Sequence, residues 1–512
     1  MCTIGATGIC HSVTVIINLR RDKLQYQTST KYPRLTVDST PVEKGASRTG
    51  WDVVRLMEIA VRGAFCHALP HEVLAEIFLC YAETAELLYP TPKLPPPLLL
   101  GQIYSIWRYV VHDTPKLWTG FSLEFVGEEG YEGKVDHISF AKAWFERARP
   151  YPLRVSSRVN TFNEKLSRIL DAILSSADRI QYLHLHLPYP HYWPLVHVAA
   201  GSMALLESVS LSVGFSDSQQ LVRWVRRITA FVAAPRLRSV TLFSPSPWGL
   251  FESDLPMPWS QLTTLYLHES ATLLYACLDV LSKCTNLVNC MLNIDATAVE
   301  GIQPHVPIVI LPCLGKLHLL FVEPGDFSPF FQHLNLPALK DLTIETIYGY
   351  RWSHQSFTEF ALRSSLDSER LRFGYVNIRS DELLLLLTCM QSLVELDIEH
   401  SQCVDNSLFG ALCYREMDDH HLVPRLKTLL ISHASGHHID DILIASMIES
   451  RWWTDNRPCM ISRLERVNVI FGDRKMFLWV RRRLRRCRRE GLTVNVDQTG
   501  CGRATTGEKS DF

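Results

Sequence analysis

The sequence predicts an α/β solenoid of strand–helix units, preceded by a small all-α domain. Three observations carry this prediction. A leucine motif recurs along the chain beyond residue 177, apolar stretches with helical spacing separate its copies, and two helical segments divided by a proline cluster precede the repeats.

The repeated motif is L-x-x-L-x-L, and ten copies follow residue 177. The copies are Ile180, Leu183 and Leu185; Leu206, Val209 and Leu211; Leu237, Val240 and Leu242; Leu262, Leu265 and Leu267; Leu287, Cys290 and Leu292; Leu314, Leu317 and Leu319; Leu339, Leu342 and Ile344; Leu393, Leu396 and Ile398; Leu426, Leu429 and Ile431; and Leu464, Val467 and Val469. They begin 25 to 38 residues apart, except for one interval of 54, in which SERLRF supplies a degenerate copy through Leu371 and Phe373. A period of about 25 to 30 residues is typical of leucine-rich-repeat-like solenoids. Leucine abundance alone would not give such regular intervals.

The residue between the last two motif positions points to the opposite face of the strand, because strand side chains alternate. On a solenoid this face is the concave surface, and we expect a binding partner there. The residues are His184, Ser210, Thr241, Tyr266, Met291, His318, Thr343, Asp397, Leu430 and Asn468. Tyr266, Met291 and His318 are the least polar group, so they are the predicted target-binding centre. The alternative is that they are ordinary solvated strand positions.

The N-terminal region divides into two parts. Residues 1–65 read as an atypical, partly disordered segment, and residues 66–124 as a helical domain. In the helical domain, ALPHEVLAEIF places Leu69, Val73, Leu74, Ile77 and Phe78 at helical spacing after Pro70. The proline cluster YPTPKLPPP predicts a loop, and the apolar segment after it predicts a helix broken at Pro115.

Three further segments complete the predicted organisation. Residues 125–176 are a connector and first cap, residues 177–497 are the solenoid, and residues 498–512 are a disordered tail. Within the solenoid, the arginine-rich run VRRRLRRCRRE predicts a solvated outer helix whose apolar face is Phe477, Val480 and Leu484. Nuclear import or phosphate binding by these arginines is the weaker alternative, so a nucleic-acid partner is not expected.

Composition narrows the function classes. A hydrophobic content of 47% indicates a folded chain. A net charge of −1 means that the chain has no overall positive charge to attract a polyanionic partner. The longest apolar runs are far shorter than the roughly 18 residues of a membrane span, so no membrane partner is expected. The 14 scattered cysteines favour a reducing compartment, the cytoplasm or the nucleus.

Neither a cofactor nor an enzymatic activity is predicted. The sequence lacks a nucleophile elbow, a phosphate-binding loop and an H-E-x-x-H zinc motif. One stretch is rich in potential metal ligands, but it has no C-x-x-C pair to accompany its single H-x-x-x-H spacing, at His433 and His437, so no metal is expected. Its members are Cys403, Cys413, His420, His421, His433, His437 and His438.

Three groups of segments resemble the F-box proteins with leucine-rich-like repeats that are abundant in mushroom-forming fungi. LPHEVLAEIF resembles the F-box opening, and PPPLLLGQIYSIWRYVVHDTPKLWTGFSL resembles the stretch that follows it, although Tyr104 replaces a common cysteine. AWFERARPYPLRVS, MPWSQLTTLYL and VLSKCTNLVNCML are similar to phrases of the repeat region. Together the similarities span about residues 66–497.

This resemblance implies the substrate-recognition subunit of a Skp/cullin/F-box ubiquitin ligase. The helical domain would dock on the Skp adaptor, and the repeats would bind a target protein whose identity the sequence does not give. The implied adaptor-binding residues are Leu69, Pro70, Val73, Leu74, Ile77, Phe78, Trp107 and Trp118. Two alternatives remain: the apolar helical residues form only the core of a helical cap, or the protein is a repeat scaffold that no longer engages an adaptor.

Overall fold

The computed structural model describes much of the chain. The described ranges are 69–86, 94–125, 136–159, 164–213, 227–244, 255–295, 307–323, 325–347, 352–416, 421–434, 439–454, 461–471 and 476–496. The predictions for residues 1–65 and 498–512 lie outside them. The chain divides into two compact units, Met1–Leu183 and His184–Phe512.

The described part of the first unit begins with three helices and a turn of 3₁₀ helix. They are α1 (His71–Glu86), α2 (Pro96–Gly101), α3 (Ser105–His112) and the 3₁₀ turn Pro115–Trp118. In α1, Leu74, Phe78 and Tyr81 are buried at the spacing of successive helical turns. The carbonyl of Pro70 accepts the amides of Val73 and Leu74, both at 3.1 Å, so the helix begins where the sequence predicts.

The prediction that the whole proline cluster is a loop was wrong at its end. Helix α2 begins at Pro96, with Pro95 in the preceding extended position. Proline is compatible with the first helical turn, because the amide it lacks would have no partner inside the helix there. A break at Gln102–Tyr104 then separates α2 from α3, where the sequence suggested one apolar helix.

Strand–helix alternation starts earlier than the leucine motif. Strand β1 (Gly120–Phe125) is followed by α4 (His137–Arg147), β2 (Leu153–Val159), α5 (Glu164–Leu174), the 3₁₀ turn Ala177–Arg179 and β3 (Ile180–Leu187). β1 and β2 pair in parallel, with Phe121 opposite Val155. In β2, Leu153, Val155 and Val159 are buried between polar residues. The leucine motif does not reveal β2, because two of these three buried side chains are valines.

The second unit consists mainly of parallel strands. They are β4 (Ser208–Val213), β5 (Ser239–Ser244), β6 (Thr264–Leu273), β7 (Asn289–Asp295), β8 (Val309–Ile310), β9 (Lys316–Glu323), β10 (Leu334–Asn335), β11 (Asp341–Thr346), β12 (Arg370–Gly374), β13 (Glu395–Glu399), β14 (Thr428–Ala434), β15 (Arg466–Phe471) and β16 (Thr493–Asn495). β8 and β10 form a separate two-stranded sheet, and the others follow one another in chain order. This order agrees with the predicted α/β solenoid.

Helices connect the strands of this unit. They are α6 (Trp193–Val196), α7 (Leu274–Lys283), α8 (Ser328–Gln332), α9 (His354–Arg363), α10 (Ser380–Thr388), α11 (Asn406–Leu412), α12 (Asp441–Ser450), α13 (Leu478–Arg483) and α14 (Arg485–Arg489), with 3₁₀ turns at Tyr189–Tyr192 and Trp259–Gln261. The Ser353, Asp405 and Asp440 side chains cap α9, α11 and α12 by accepting amides of the first turn.

The motif leucines form the core. Leu265, Leu267, Leu317 and Leu319 are at most 1% exposed, as the alternation of strand side chains predicts. The degenerate copy is also a strand, β12, in which Leu371 and Phe373 are buried. Burying each such side chain contributes about 1.5–3 kcal/mol, so the repeated motif supplies a continuous core along the stacked strands.

Candidate functional site

Four of the eight predicted adaptor-binding residues lie in the core of the first unit. Leu74, Phe78, Trp107 and Trp118 are all less than 7% exposed. The rings of Phe78 and Trp107 meet edge to face at 5.0 Å, and the indole N–H of Trp118 donates to the carbonyl of Val111 at 2.9 Å. These four residues therefore hold the helices together, and of the eight predicted residues only the other four could contact a partner.

The other four lie at or near the surface. Pro70 is exposed, Val73 is 43% exposed, and Leu69 and Ile77 are half-buried. Tyr109 on α3 extends this apolar surface, because it is 59% exposed and its ring lies 5.4 Å from that of His71 on α1. The sequence did not single out Tyr109. Its position next to the buried Val110 on an amphipathic helix was the available signal.

Strand register places the predicted target-binding residues side by side. Tyr266 lies opposite Met291, and Met291 lies opposite His318, on the consecutive neighbours β6, β7 and β9. All three are half-buried. We call their row on the second unit the strand face: Ser210, Thr241, Tyr266, Met291, His318, Thr343, Arg372, Asp397, Leu430 and Asn468.

Arg372 is the member of this row that the sequence analysis missed. It lies on β12, where the degenerate motif concealed the register. Its three guanidinium nitrogens each donate to a different carboxylate at 2.9 Å: Nε to Glu345, Nη1 to Asp397 and Nη2 to Glu399. Nε2 of His318 lies 3.4 Å from Oε2 of Glu345. The predicted centre is thus joined to a network of charged groups.

Gly374 makes room for this network. A Cβ atom at this position would lie 3.0 Å from Cγ of Glu345 on the neighbouring strand. Glycine therefore lets the Glu345 side chain lie across β12 toward Arg372. The requirement is one of space, which the sequence could not reveal.

Burial and pairing shift the pKa values of the network in different directions. Burial raises the pKa of Asp397 to about 6, although Arg372 opposes the shift. The hydrogen bond to His318 lowers the pKa of Glu345, and Arg372 adds to the effect. Burial acts to lower the pKa of Arg372, but the surrounding carboxylates raise it above its usual value. Asp397 is thus the member of the network least favourably placed for a charge.

The strand face combines two kinds of surface. Tyr266 and Met291 offer aromatic and adaptable apolar contacts, and the neighbouring network offers hydrogen-bonding charges. Such a mixture suits a protein partner better than a polyanion. Within the described ranges, no group of three or more His, Cys, Asp or Glu side chains could hold a metal ion. His420, His437 and His438 of the sequence cluster lie outside those ranges.

The arginine-rich segment differs from its prediction at one residue. Val480 and Leu484 are buried as expected, together with Cys487, whereas Phe477 is 61% exposed. Phe477 precedes the first residue of α13 in an extended conformation, so it does not share the buried stripe of that helix.

Comparisons with known proteins do not assign the chain to a family. No protein-family model and no curated protein matches the chain. Among solved structures, it is similar to a chain of the Rad7 and Elc1 complex from yeast, with 12% identity and a TM-score of 0.34 over 88% of this chain and 98% of that one. At this identity and TM-score the likeness shows neither a shared fold nor a shared partner. None of the described helices is long and apolar enough to cross a membrane.

Proposed function

We propose that this protein is the substrate-recognition subunit of a Skp/cullin/F-box type ubiquitin ligase. In this proposal the helices of the first unit are an F-box-like domain that docks on the Skp adaptor. The leucine-rich-repeat-like strands of the second unit bind the target protein. The chain itself contributes recognition and no catalytic step, and it works in the cytoplasm or the nucleus.

The exposed apolar side chains at the start of α1 carry this proposal. Pro70 and Val73 reach solvent beside the half-buried Leu69 and Ile77, in the segment that resembles the F-box opening. Apolar groups clustered on a helix surface favour a partner that removes them from water. Tyr109 enlarges the same surface with a residue type that is enriched in binding hot spots.

The strand face supports the second half of the proposal. Tyr266, Met291 and His318 lie side by side without a gap, and the Arg372 network adjoins them. Aromatic, methionine and arginine side chains are enriched in protein interfaces relative to the rest of the surface.

The alternative is a leucine-rich-repeat scaffold that does not bind the adaptor. Burial of Leu74, Phe78, Trp107 and Trp118 favours it, because half of the implied docking residues already have partners inside the unit. The two functions differ in one measurable property, which is capture of the Skp adaptor.

The deciding experiment is a pull-down of purified Skp adaptor by the full chain. We expect capture by the wild type and loss of capture by Leu69→Ala/Pro70→Ala. Leu385→Ala, at a 57% exposed position of α10, is the control with an unaltered first unit. If the wild type captures no adaptor, or the double variant captures as much as the wild type, the docking proposal fails.

A further inference from the structure

The last described helices of the second unit, α13 and α14, are packed against the unit on one side. Val480, Leu484 and Cys487 recur at helical spacing and are buried. The backbone N–H of Phe477 donates to Oδ2 of Asp441 at 2.7 Å, which holds the chain where α13 begins. The side of α13 and α14 away from this buried stripe is therefore held in a defined orientation.

Three consecutive large apolar side chains are exposed at this end. Phe477, Leu478 and Trp479 are 61%, 70% and 49% exposed. Consecutive residues point in different directions around the chain, so together they form a protrusion. A protrusion of this kind costs hydration free energy in water unless a partner covers it.

The exposed arginines that follow fall into two groups. Arg483 makes two-pronged hydrogen bonds to Glu449, and Arg486 donates to Glu490 at 2.9 Å. The others, Arg482, Arg485, Arg488 and Arg489, are exposed and have no hydrogen-bond or ion-pair partner among the described residues. Since Glu449 and Glu490 are occupied by the first group, these four arginines present positive charge that no carboxylate of the described residues pairs with.

We propose that this basic–apolar patch, comprising Phe477, Leu478, Trp479, Arg482, Arg485, Arg488 and Arg489, binds peripherally to the surface of an anionic phospholipid bilayer. The protrusion would enter the headgroup region, where tryptophan is favoured, while the guanidinium groups bind lipid phosphates and carboxylates. The sequence predicted no membrane partner because no segment could span a bilayer, but peripheral binding needs no span.

A bilayer matches the patch better than the other anionic partners do. Nucleic acid would use the arginines and could stack on the aromatic rings, but it offers little to Leu478. A lipid surface presents negative charge and, immediately beneath it, an apolar layer that accepts all three side chains. This proposal is independent of adaptor or target binding.

The test is co-sedimentation of the full chain with vesicles of phosphatidylcholine, with and without phosphatidylserine. We expect binding only when phosphatidylserine is present, and weaker binding as salt rises. Arg485→Glu/Arg488→Glu should lose binding, since each arginine contributes about fivefold. Leu478→Ser/Trp479→Ser should also lose it with both arginines in place. Because all four side chains are exposed, circular dichroism of the variants should match that of the wild type.

The matched control is Arg227→Glu/Arg236→Glu, which makes the same charge change at exposed positions between β4 and β5. It should bind vesicles like the wild type. Three outcomes would overturn the proposal: no binding of the wild type to phosphatidylserine vesicles, equal loss in the control, or unchanged binding by the serine variant. Displacement of the chain from vesicles by duplex DNA, together with unchanged binding by the serine variant, would instead assign the arginines to nucleic acid.

Discussion

The guanidinium Nη1 of Arg372 donates to Oδ2 of Asp397 across 2.9 Å, which joins two adjacent strands of the strand face. Glu345 and Glu399 occupy the other two nitrogens of the same guanidinium, so three carboxylates share one cation. Three carboxylates and one guanidinium give this group an excess of negative charge in a half-buried setting. A carboxylate in such a position is costly to ionise.

We expect Asp397→Asn to change the pH dependence of stability. The folded pKa of Asp397, about 6, lies above its ordinary value of 3.8, so the folded chain holds this proton more tightly than the unfolded chain. The stability that Asp397 contributes is therefore fully present at low pH and is lost as pH rises from about 4 to about 6. Asp397→Asn should remove this loss and leave stability at pH 7 unchanged or up to about 1 kcal/mol higher.

Urea unfolding of the variant and the wild type between pH 4 and pH 7 measures this effect, with Glu416→Gln at an exposed position as control. Glu345 acts in the opposite sense: its pKa is lowered, so its contribution is present above its ordinary value of 4.5 and lost below it. If the stabilities of Asp397→Asn and the wild type change equally with pH, the pKa of Asp397 is the same in the folded and the unfolded chain, and the prediction is wrong.

Two leucines in the run at 383–387 should differ sharply in their effect on stability. Leu387 is fully buried, whereas Leu385 on the same helix is 57% exposed. Leu387→Ala should lower the free energy of unfolding by about 2–5 kcal/mol through the cavity it leaves. Leu385→Ala should change it by at most about 0.5 kcal/mol. Denaturant midpoints of both variants measure the difference, and similar midpoints would contradict the packing of α10.

Neighbouring residues on α1 should separate adaptor binding from stability. Val73→Asp places a charge on the exposed apolar surface, so we expect loss of Skp capture with an unchanged circular dichroism spectrum. Leu74→Ala should leave the exposed surface chemically intact but destabilise the unit by about 2–5 kcal/mol, because Leu74 is 3% exposed. Thermal melts measure the stability of each variant, and the pull-down measures its capture of the adaptor. Full capture by a folded Val73→Asp variant would place the adaptor elsewhere.

Replacing Tyr266, Met291 and His318 together by serine should abolish target capture. We expect stability to change by about 1 kcal/mol or less, since all three are half-buried on the strand face. Proximity labelling with the wild type would identify the target, and pull-down with the variant would test it. The control is Gln355→Ser/Leu385→Ser on exposed helix positions. Target capture that survives the triple change would exclude the centre of the strand face as the site.

The sequence alone determined where the strands of the leucine motif form and which of their residues face the core. Each of the eleven copies of the motif, including the degenerate one at Leu371 and Phe373, became a strand with buried motif residues. It also located the start of α1 and the break at Pro115. These features depend on local backbone preferences and on the period of two or 3.6 residues, which are properties of neighbouring positions in the chain.

Tertiary structure decided which apolar residues remain available to a partner. Val73 and Leu74 are adjacent on α1, yet only the packing of Phe78 against Trp107 shows which face of the helix is buried. Strand register, which sets Arg372 between Glu345, Asp397 and Glu399, likewise depends on residues 25 to 27 positions apart in sequence. Periodicity specifies a face of a helix or strand, but contacts between elements decide what covers that face, and these distant contacts leave no local pattern in the sequence.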